Sequence, residues 1–233
     1  MEYKKTFGNH VLIKLDPDND TIKLGNDFTL YIDISFEVEK HATITGEVRG
    51  LPSHLYYSGQ ANKGMPWLTE MELKIGDRVV IYYLSVVNAF QKTVMKYFIK
   101  DGEKYVFIPY DKIYAVFGEG FVKPINGYCL VEPTEDPVLA DRKRRMEKIG
   151  LEMVVLDQKK NTKVTFAKIK YLGRKNTEYA DENSTDDGVD VGVGDIVALR
   201  KTYDIPLEYE LHSKIEKASK LLRVQRRSML AKF

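Results

Sequence analysis

Apolar residues along this chain fall in short bursts separated by polar and turn-forming residues. In the first half "VLIKL" (11–15), "FTLYIDISFEV" (28–38), "ATITGEV" (42–48), "RVVIYY" (78–83) and "YVFIPY" (105–110) carry the β-branched and aromatic residues of strands. The second half has the same texture in "YCLVEP" (128–133), "LEMVVL" (151–156), "TKVTFAKIKYL" (162–172), "DIVAL" (195–199) and "KLLRVQ" (220–225). The best helical pattern is "PVLADRKRRMEKI" (137–149), with a sparse apolar stripe of Val138, Met146 and Ile149.

These bursts recur at a fixed distance. Residues 10–17 ("HVLIKLDP") lie over residues 128–135 ("YCLVEPTE"), and residues 74–83 ("KIGDRVVIYY") over residues 192–201 ("GVGDIVALRK"), so Gly76-Asp77 matches Gly194-Asp195. Glycine and aspartate suit a tight turn, and the β-branched run after each suits a strand. A slightly smaller offset aligns "YDKIYAVF" (110–117) with "RRSMLAKF" (226–233), pairing Ile113 with Met229, Ala115 with Ala231 and Phe117 with Phe233. The glycines of Gly118-Glu119-Gly120 favour a connector, which divides the chain into domains 1–118 and 119–233.

The order of opening strand, loop, Gly-Val-like strand, "K-x-G-D-x-V" turn and closing "I-x-A" resembles the small ring-forming co-chaperonins of the GroES type. In the first repeat Val11 to Leu15, Gly46-Glu47-Val48, Lys74, Gly76, Asp77, Val79, Ile113 and Ala115 carry the match. In the second, Cys129 to Val131, Ala167-Lys168-Ile169, Leu172-Gly173, Gly194, Asp195, Val197 and Met229 to Ala231 do so, with Gly192 in place of the lysine. The resemblance spans nearly the whole chain. It implies an all-β fold of two tandem small GroES-like barrels with elaborated loops and a short helix in the second repeat.

The same resemblance implies a function: a ring-forming lid that caps an ATP-dependent chaperonin through an apolar mobile loop, assists folding without chemistry or cofactor of its own, and leaves ATP to its partner. The docking loop falls on Gly150, Leu151, Glu152, Met153, Val154, Val155 and Leu156, and the corresponding stretch of the first repeat contributes Phe28, Leu30 and Ile32 while reading more as a committed strand. Homo-oligomerisation is expected through the outer strands, at Val11, Leu12 and Ile13 and at Met229, Leu230, Ala231 and Phe233. The alternative within the same reading is a structural or adaptor oligomer that keeps the barrels without capping.

Composition sets limits on other chemistry. Of the 233 residues 43% are hydrophobic and 30% charged, the balance of a globular chain, and 36 basic against 34 acidic residues leave a net charge of +2 with no global field for polyanions. Nucleic acid is the rival partner because Arg142-Lys143-Arg144-Arg145, the arginines 223, 226 and 227, and 15 tyrosines with 10 phenylalanines are available. Many of those aromatics, Tyr82, Tyr83, Phe107 and Tyr110 among them, sit in apolar strands that call for core packing, which argues against it. The single Cys129 forms no disulfide framework, and no apolar leader or membrane span is visible, so a cytoplasmic place is expected.

No catalytic or metal motif survives inspection. Asp16, Asp18 and Asp20 alternate as in a calcium loop, but Thr21 stands where the glycine belongs and Asp27 where the glutamate belongs. The acidic run from Glu178 to Asp190 also misplaces its glycine, His10, His41, His54 and His212 form no short-spaced pair, and "GEG" at 118–120 lacks a Lys-Ser/Thr continuation. Residues 53–71, with Tyr56, Tyr57 and Trp67, form a long insertion that suits either a roof over a cavity or a braced surface loop.

Overall fold

The computed structural model describes residues 5–17, 21–24, 28–31, 43–57, 65, 67–90, 96–151, 164–176, 178–179, 190–200, 210–211 and 221–233. The chain forms two compact units, Met1–Asn126 with Asn176–Thr185, and Gly127–Lys175 with Asp186–Phe233.

The first unit contains strands β1 (Lys5–Thr6), β2 (His10–Leu15), β3 (Thr21–Leu24), β4 (Phe28–Tyr31), β5 (Thr45–Pro52), β6 (Trp67–Leu68) and β7 (Arg78–Ile81), helix α1 (Tyr83–Ala89), and strands β8 (Tyr97–Lys100), β9 (Glu103–Pro109), β10 (Ile113–Gly118) and β11 (Phe121–Pro124). Its main sheet runs β11-β10-β7-β5-β2-β9-β8, with β1 laid parallel along the end of β5 and β3 and β4 forming their own hairpin. The second unit contains β12 (Tyr128–Thr134), helix α2 (Pro137–Lys148), β13 (Val164–Leu172), β15 (Ile196–Arg200), β16 (Glu210–Leu211), β17 (Leu221–Gln225) and β18 (Met229–Lys232), while the intervening β14 (Glu178–Tyr179) pairs with β6 in the first unit. Its sheet runs β16-β17-β12-β13-β15-β18.

The two sheets share one wiring. Taken in chain order, the first unit's β2, β5, β7, β9 and β10 lie in the spatial order fifth, third, second, first, fourth, and β12, β13, β15, β17 and β18 lie in that same order. Each unit also adds a short strand to the free side of its fourth member, β8 on β9 and β16 on β17. The recurring sequence bursts therefore correspond to a recurring topology.

The sheets are open, which corrects the expectation of two closed GroES-like barrels. Among the described residues β11 and β8 end the first path and β16 and β18 end the second, with no ladder joining either pair of ends. In the first sheet the edges that closure would join are occupied by hairpin strands: β11 folds back on β10 through a turn at Glu119-Gly120, and β8 covers β9 through Asp101-Gly102. Without the barrel, the resemblance to the co-chaperonin family and the chaperonin-capping function built on it both fall. Gly118 to Gly120 is part of that β10–β11 hairpin.

Local chemistry explains the strands. In β2 a register shift between Leu12 and Ile13 lets two successive residues face the core, and Val11, Leu12 and Ile13 are all fully buried. Val48 of β5 and Val106 of β9 flank Ile13 in the same buried row. Gly46 belongs there because a Cβ would stand 2.5 Å from the Lys14 carbonyl and 2.6 Å from Ile13 Cγ2. The second unit's core gathers Cys129, Val131, Ala167, Ile169, Val197, Leu199, Val224 and Met229.

Helix α2 occupies residues within the 137–149 stretch. Asp136 caps it, accepting from the Val138 amide at 2.9 Å, Pro137 opens its first turn, and none of its residues is buried. It ends in a Schellman arrangement, with the Gly150 amide donating to the Glu147 carbonyl at 3.1 Å and the Leu151 amide to the Met146 carbonyl at 3.0 Å, and Gly150 at φ +75°.

Candidate functional site

The most organised exposed feature is the outer face of the first sheet. Directly opposed residues on neighbouring strands share a face. The registers Phe98 with Tyr105, Tyr105 with Lys14, Lys14 with Glu47, Glu47 with Arg78, Arg78 with Phe117 and Phe117 with Val122 therefore make one unbroken row across seven strands. Every member of the row is half-buried or exposed, whereas the alternate positions Val106, Ile13, Val48 and Val79 are buried beneath it.

The row is aromatic at Phe98, Tyr105 and Phe117 on its two sides, with Val122 outermost, and charged in its middle. The Phe98 and Tyr105 rings stack at 5.0 Å with 1° between their planes, and the Arg78 guanidinium lies 5.2 Å from the Phe117 ring centre. Between them Lys14 donates to Glu103, Arg49 donates to Glu47 at 2.9 Å, and Arg78 donates to Asp16 at 2.5 Å, where the Thr45 hydroxyl also donates at 2.6 Å. A recess of about 440 Å³ opens there, lined in part by Lys14, Asp16, Glu47, Arg78 and Glu103.

Electrostatics hold Glu103 and Lys14 in their charged forms. Glu103 is held below the ordinary carboxylate range, first by the Lys14 hydrogen bond and then by the Tyr105 hydroxyl, which donates to it at 2.9 Å. The same contact raises Lys14, and burial followed by Glu103 raises Tyr105. A face on which each cation already has a carboxylate offers no net field to a polyanion, and suits a surface of alternating charge.

The sequence-predicted residues are placed elsewhere and do not converge. Of the expected docking loop, Gly150 and Leu151 form the C-terminal cap of α2, with Leu151 exposed, while Glu152 to Leu156 lie outside the described residues. Phe28 and Leu30 are on β4, paired with β3, and Ile32 lies outside the described residues. Val11, Leu12 and Ile13 are buried in a strand whose two sides are taken by β5 and β9, which leaves no backbone edge for a neighbouring subunit. Met229 is buried, but Leu230 and Phe233 are exposed on or beside β18, which pairs on one side with β15, and Phe233 meets Phe166 edge-on at 5.4 Å.

Other reactive groups are engaged in structure. His10 is lowered by burial and then by Lys96, whose Nζ lies 3.2 Å from its Nε2, and Cys129 is wholly buried. Ser53 Oγ lies 3.1 Å from His54 Nδ1, but both are exposed and the imidazole leans on the Tyr56 ring at 4.5 Å, a surface turn rather than a water-excluded pair. Asp16 is bound to Arg78 and Thr45, and among the described residues no cluster of His, Cys, Asp and Glu is arranged to hold a metal ion. No helix among the described residues is long and apolar enough to cross a membrane.

The charged row escaped sequence reading because it depends on register between strands up to about a hundred residues apart. Its local signal was the polar member in each burst: Lys14 in "VLIKL", Glu47 in "TGEV", Arg78 before "VVI". No family model matches the chain, and no curated protein matches it.

Proposed function

We propose that the chain is a non-enzymatic assembly protein whose copies associate through their open sheets. The observation that carries this reading is the state of the edges. Strands β8, β11 and β18 have no partner on their outer side among the described residues, and each carries an exposed large apolar residue: Ile99 (61% exposed), Phe121 (53%) and Leu230 (44%). An unpaired edge with apolar side chains is a template for another strand unless a charge or a bulge blunts it. β8 carries Lys100 and β11 carries Lys123 and Pro124, whereas at β18 the cation that would blunt the edge, Lys232, is turned onto Asp195 at 2.8 Å, so β18 is the least guarded of the three.

The placement of the reactive groups supports a role without catalysis. His10, Cys129 and the Ser53-His54 turn are separately engaged, and the charges of the exposed face neutralise one another rather than converge on a reacting centre. Sedimentation equilibrium of the full chain over a roughly hundredfold range of concentration tests the reading. A concentration-dependent rise in mass is expected. A monomer throughout would overturn it.

A further inference from the structure

The row across the first sheet has a property that its individual contacts do not reveal. In spatial order the first six of its seven residues read Phe98, Tyr105, Lys14, Glu47, Arg78, Phe117, with Val122 beyond them. Turned about a two-fold axis that runs along the strands and passes between Lys14 and Glu47, the row meets its own reverse. Lys14 then faces the partner's Glu47, Tyr105 faces the partner's Arg78, and Phe98 faces the partner's Phe117. Every pairing is favourable, and each occurs twice: an ion pair, a cation over an aromatic ring, and an aromatic pair.

We infer that the outer face of the first sheet is an isologous contact surface for a second copy of this chain. The inference rests on the reading of the chain as a self-associating protein and adds to its edges a face through which copies meet. Two physical arguments carry it beyond the pattern itself. An axis running across the strands would instead set Lys14 against the partner's Lys14 and Glu47 against the partner's Glu47, which costs binding. The side chains are also held in place beforehand: Phe98 and Tyr105 are stacked, Arg78 is fixed between Asp16 and the Phe117 ring, and Glu47 is held by Arg49, so little rotamer freedom remains to be lost on association.

Two sheets packed face to face lie about 10 Å apart. With strands about 4.8 Å apart, the six-residue row spans about 24 Å. The recess beside Lys14, Asp16, Glu47 and Arg78 lies near the proposed axis and leaves room for the long charged side chains of both copies. Lys14 would then lie between its own Glu103 and the partner's Glu47, and no carboxylate on the face would lose its cation.

Complementation between two charge reversals tests the pairing. A Lys14→Glu chain presents two acids at the centre of the face and a Glu47→Lys chain presents two bases, so each is expected to lose self-association by at least about tenfold. Mixed, they present acids to bases, and a heterodimer within about threefold of the wild-type affinity is expected. Single variants that associate as the wild type does, or a mixture that stays monomeric, would overturn the inference. Persistent association of the single variants would leave self-assembly through the edges standing, whereas a monomeric wild type would remove both. Circular dichroism checks that each variant is folded. Should one fail to fold, a Phe98→Cys chain mixed with a Phe117→Cys chain decides the matter with a short bis-maleimide. The cross-link is expected only in the mixture, because in the two-fold arrangement each of these positions is about 24 Å from its own copy; its absence there would overturn the inference.

Discussion

Gly76 and Gly194 occupy the same turn in the two halves of the chain, each at φ +93°. The Gly76 amide donates to the Val48 carbonyl at 2.9 Å and the Gly194 amide to the Ile169 carbonyl at 2.8 Å. In each turn the following aspartate reaches back to the backbone, Asp77 Oδ2 accepting from the Lys74 amide at 2.7 Å and Asp195 Oδ2 from the Gly192 amide at 2.6 Å. The lysine at 74 and the glycine at 192 are interchangeable here because only backbone groups are used, the amide donating to the aspartate side chain and the carbonyl accepting from the aspartate amide. That is why the turn could be recognised twice although its first residue differs.

Replacing either glycine with alanine is expected to destabilise its unit by about 1 to 2 kcal/mol. No atom lies within 4 Å of a Cβ built at either position, so the cost is that of the backbone conformation rather than of a clash. Urea unfolding of Gly76→Ala and Gly194→Ala should show comparable losses. A loss confined to one of them would mean that the two turns are not equivalent.

Gly46 should respond differently, because there the obstacle is the neighbouring strand. A Cβ 2.5 Å from the Lys14 carbonyl cannot be relieved by a side-chain rotation and must push β5 from β2. Gly46→Ala is expected to cost about 1 to 3 kcal/mol and to speed amide hydrogen exchange along β2. Unchanged protection of β2 would show that the strands accommodate the methyl group.

Much of the strand content was legible because bursts such as "HVLIKL" and "RVVI" have no alternative use in a chain with so few helical stripes. The repeat was legible because the Gly-Asp turn and the closing apolar triplet are local. Closure was not legible: whether a sheet joins its ends depends on what covers the edge strands, and here β8 and β11 are added by turns at Asp101-Gly102 and Glu119-Gly120. Gly150 misled for a related reason. Read as the first residue of a docking loop, it serves as the left-handed cap of α2, a role that glycine after a basic helix fills equally well. The row from Phe98 to Phe117 was least visible, since it brings together residues from six separate strands.

The pH dependence of stability follows from the charged pairs. Glu103 and Asp195 have depressed values, Glu103 through Lys14 and Tyr105, and Asp195 through Lys232 and the Gly192 amide. Their contributions are present above the unfolded carboxylate values of about 4 and are lost as pH falls through the folded ones. Lys14 is raised by Glu103, so its contribution is present below about pH 10 and is lost as pH rises through its folded value. The urea midpoint should fall on acidification below about pH 4, and less steeply in a Glu103→Gln, Asp195→Asn variant. A midpoint that rose between pH 5 and pH 3 would contradict these pairings.

Asn126 offers the sharpest test of the polar interior. It is fully buried at φ +57°, its Nδ2 donates to the Tyr110 carbonyl at 2.8 Å and the Ile113 carbonyl at 3.0 Å, and its amide donates to Glu72 Oε2 at 2.8 Å. The side chain thus binds the turn before β10, while the adjoining backbone leads into β12. Asn126→Gly keeps the backbone conformation and removes two hydrogen bonds, for a loss of about 2 kcal/mol. Asn126→Asp keeps the shape but sets a carboxylate against two carbonyl oxygens and beside Glu72, and should cost about 3 to 5 kcal/mol at neutral pH. Protonation lets the aspartic acid donate to one carbonyl again, so the gap between the Asp and Gly variants should narrow as pH falls. A constant gap across the acid range would mean that the Asn126 side chain does not face those carbonyls.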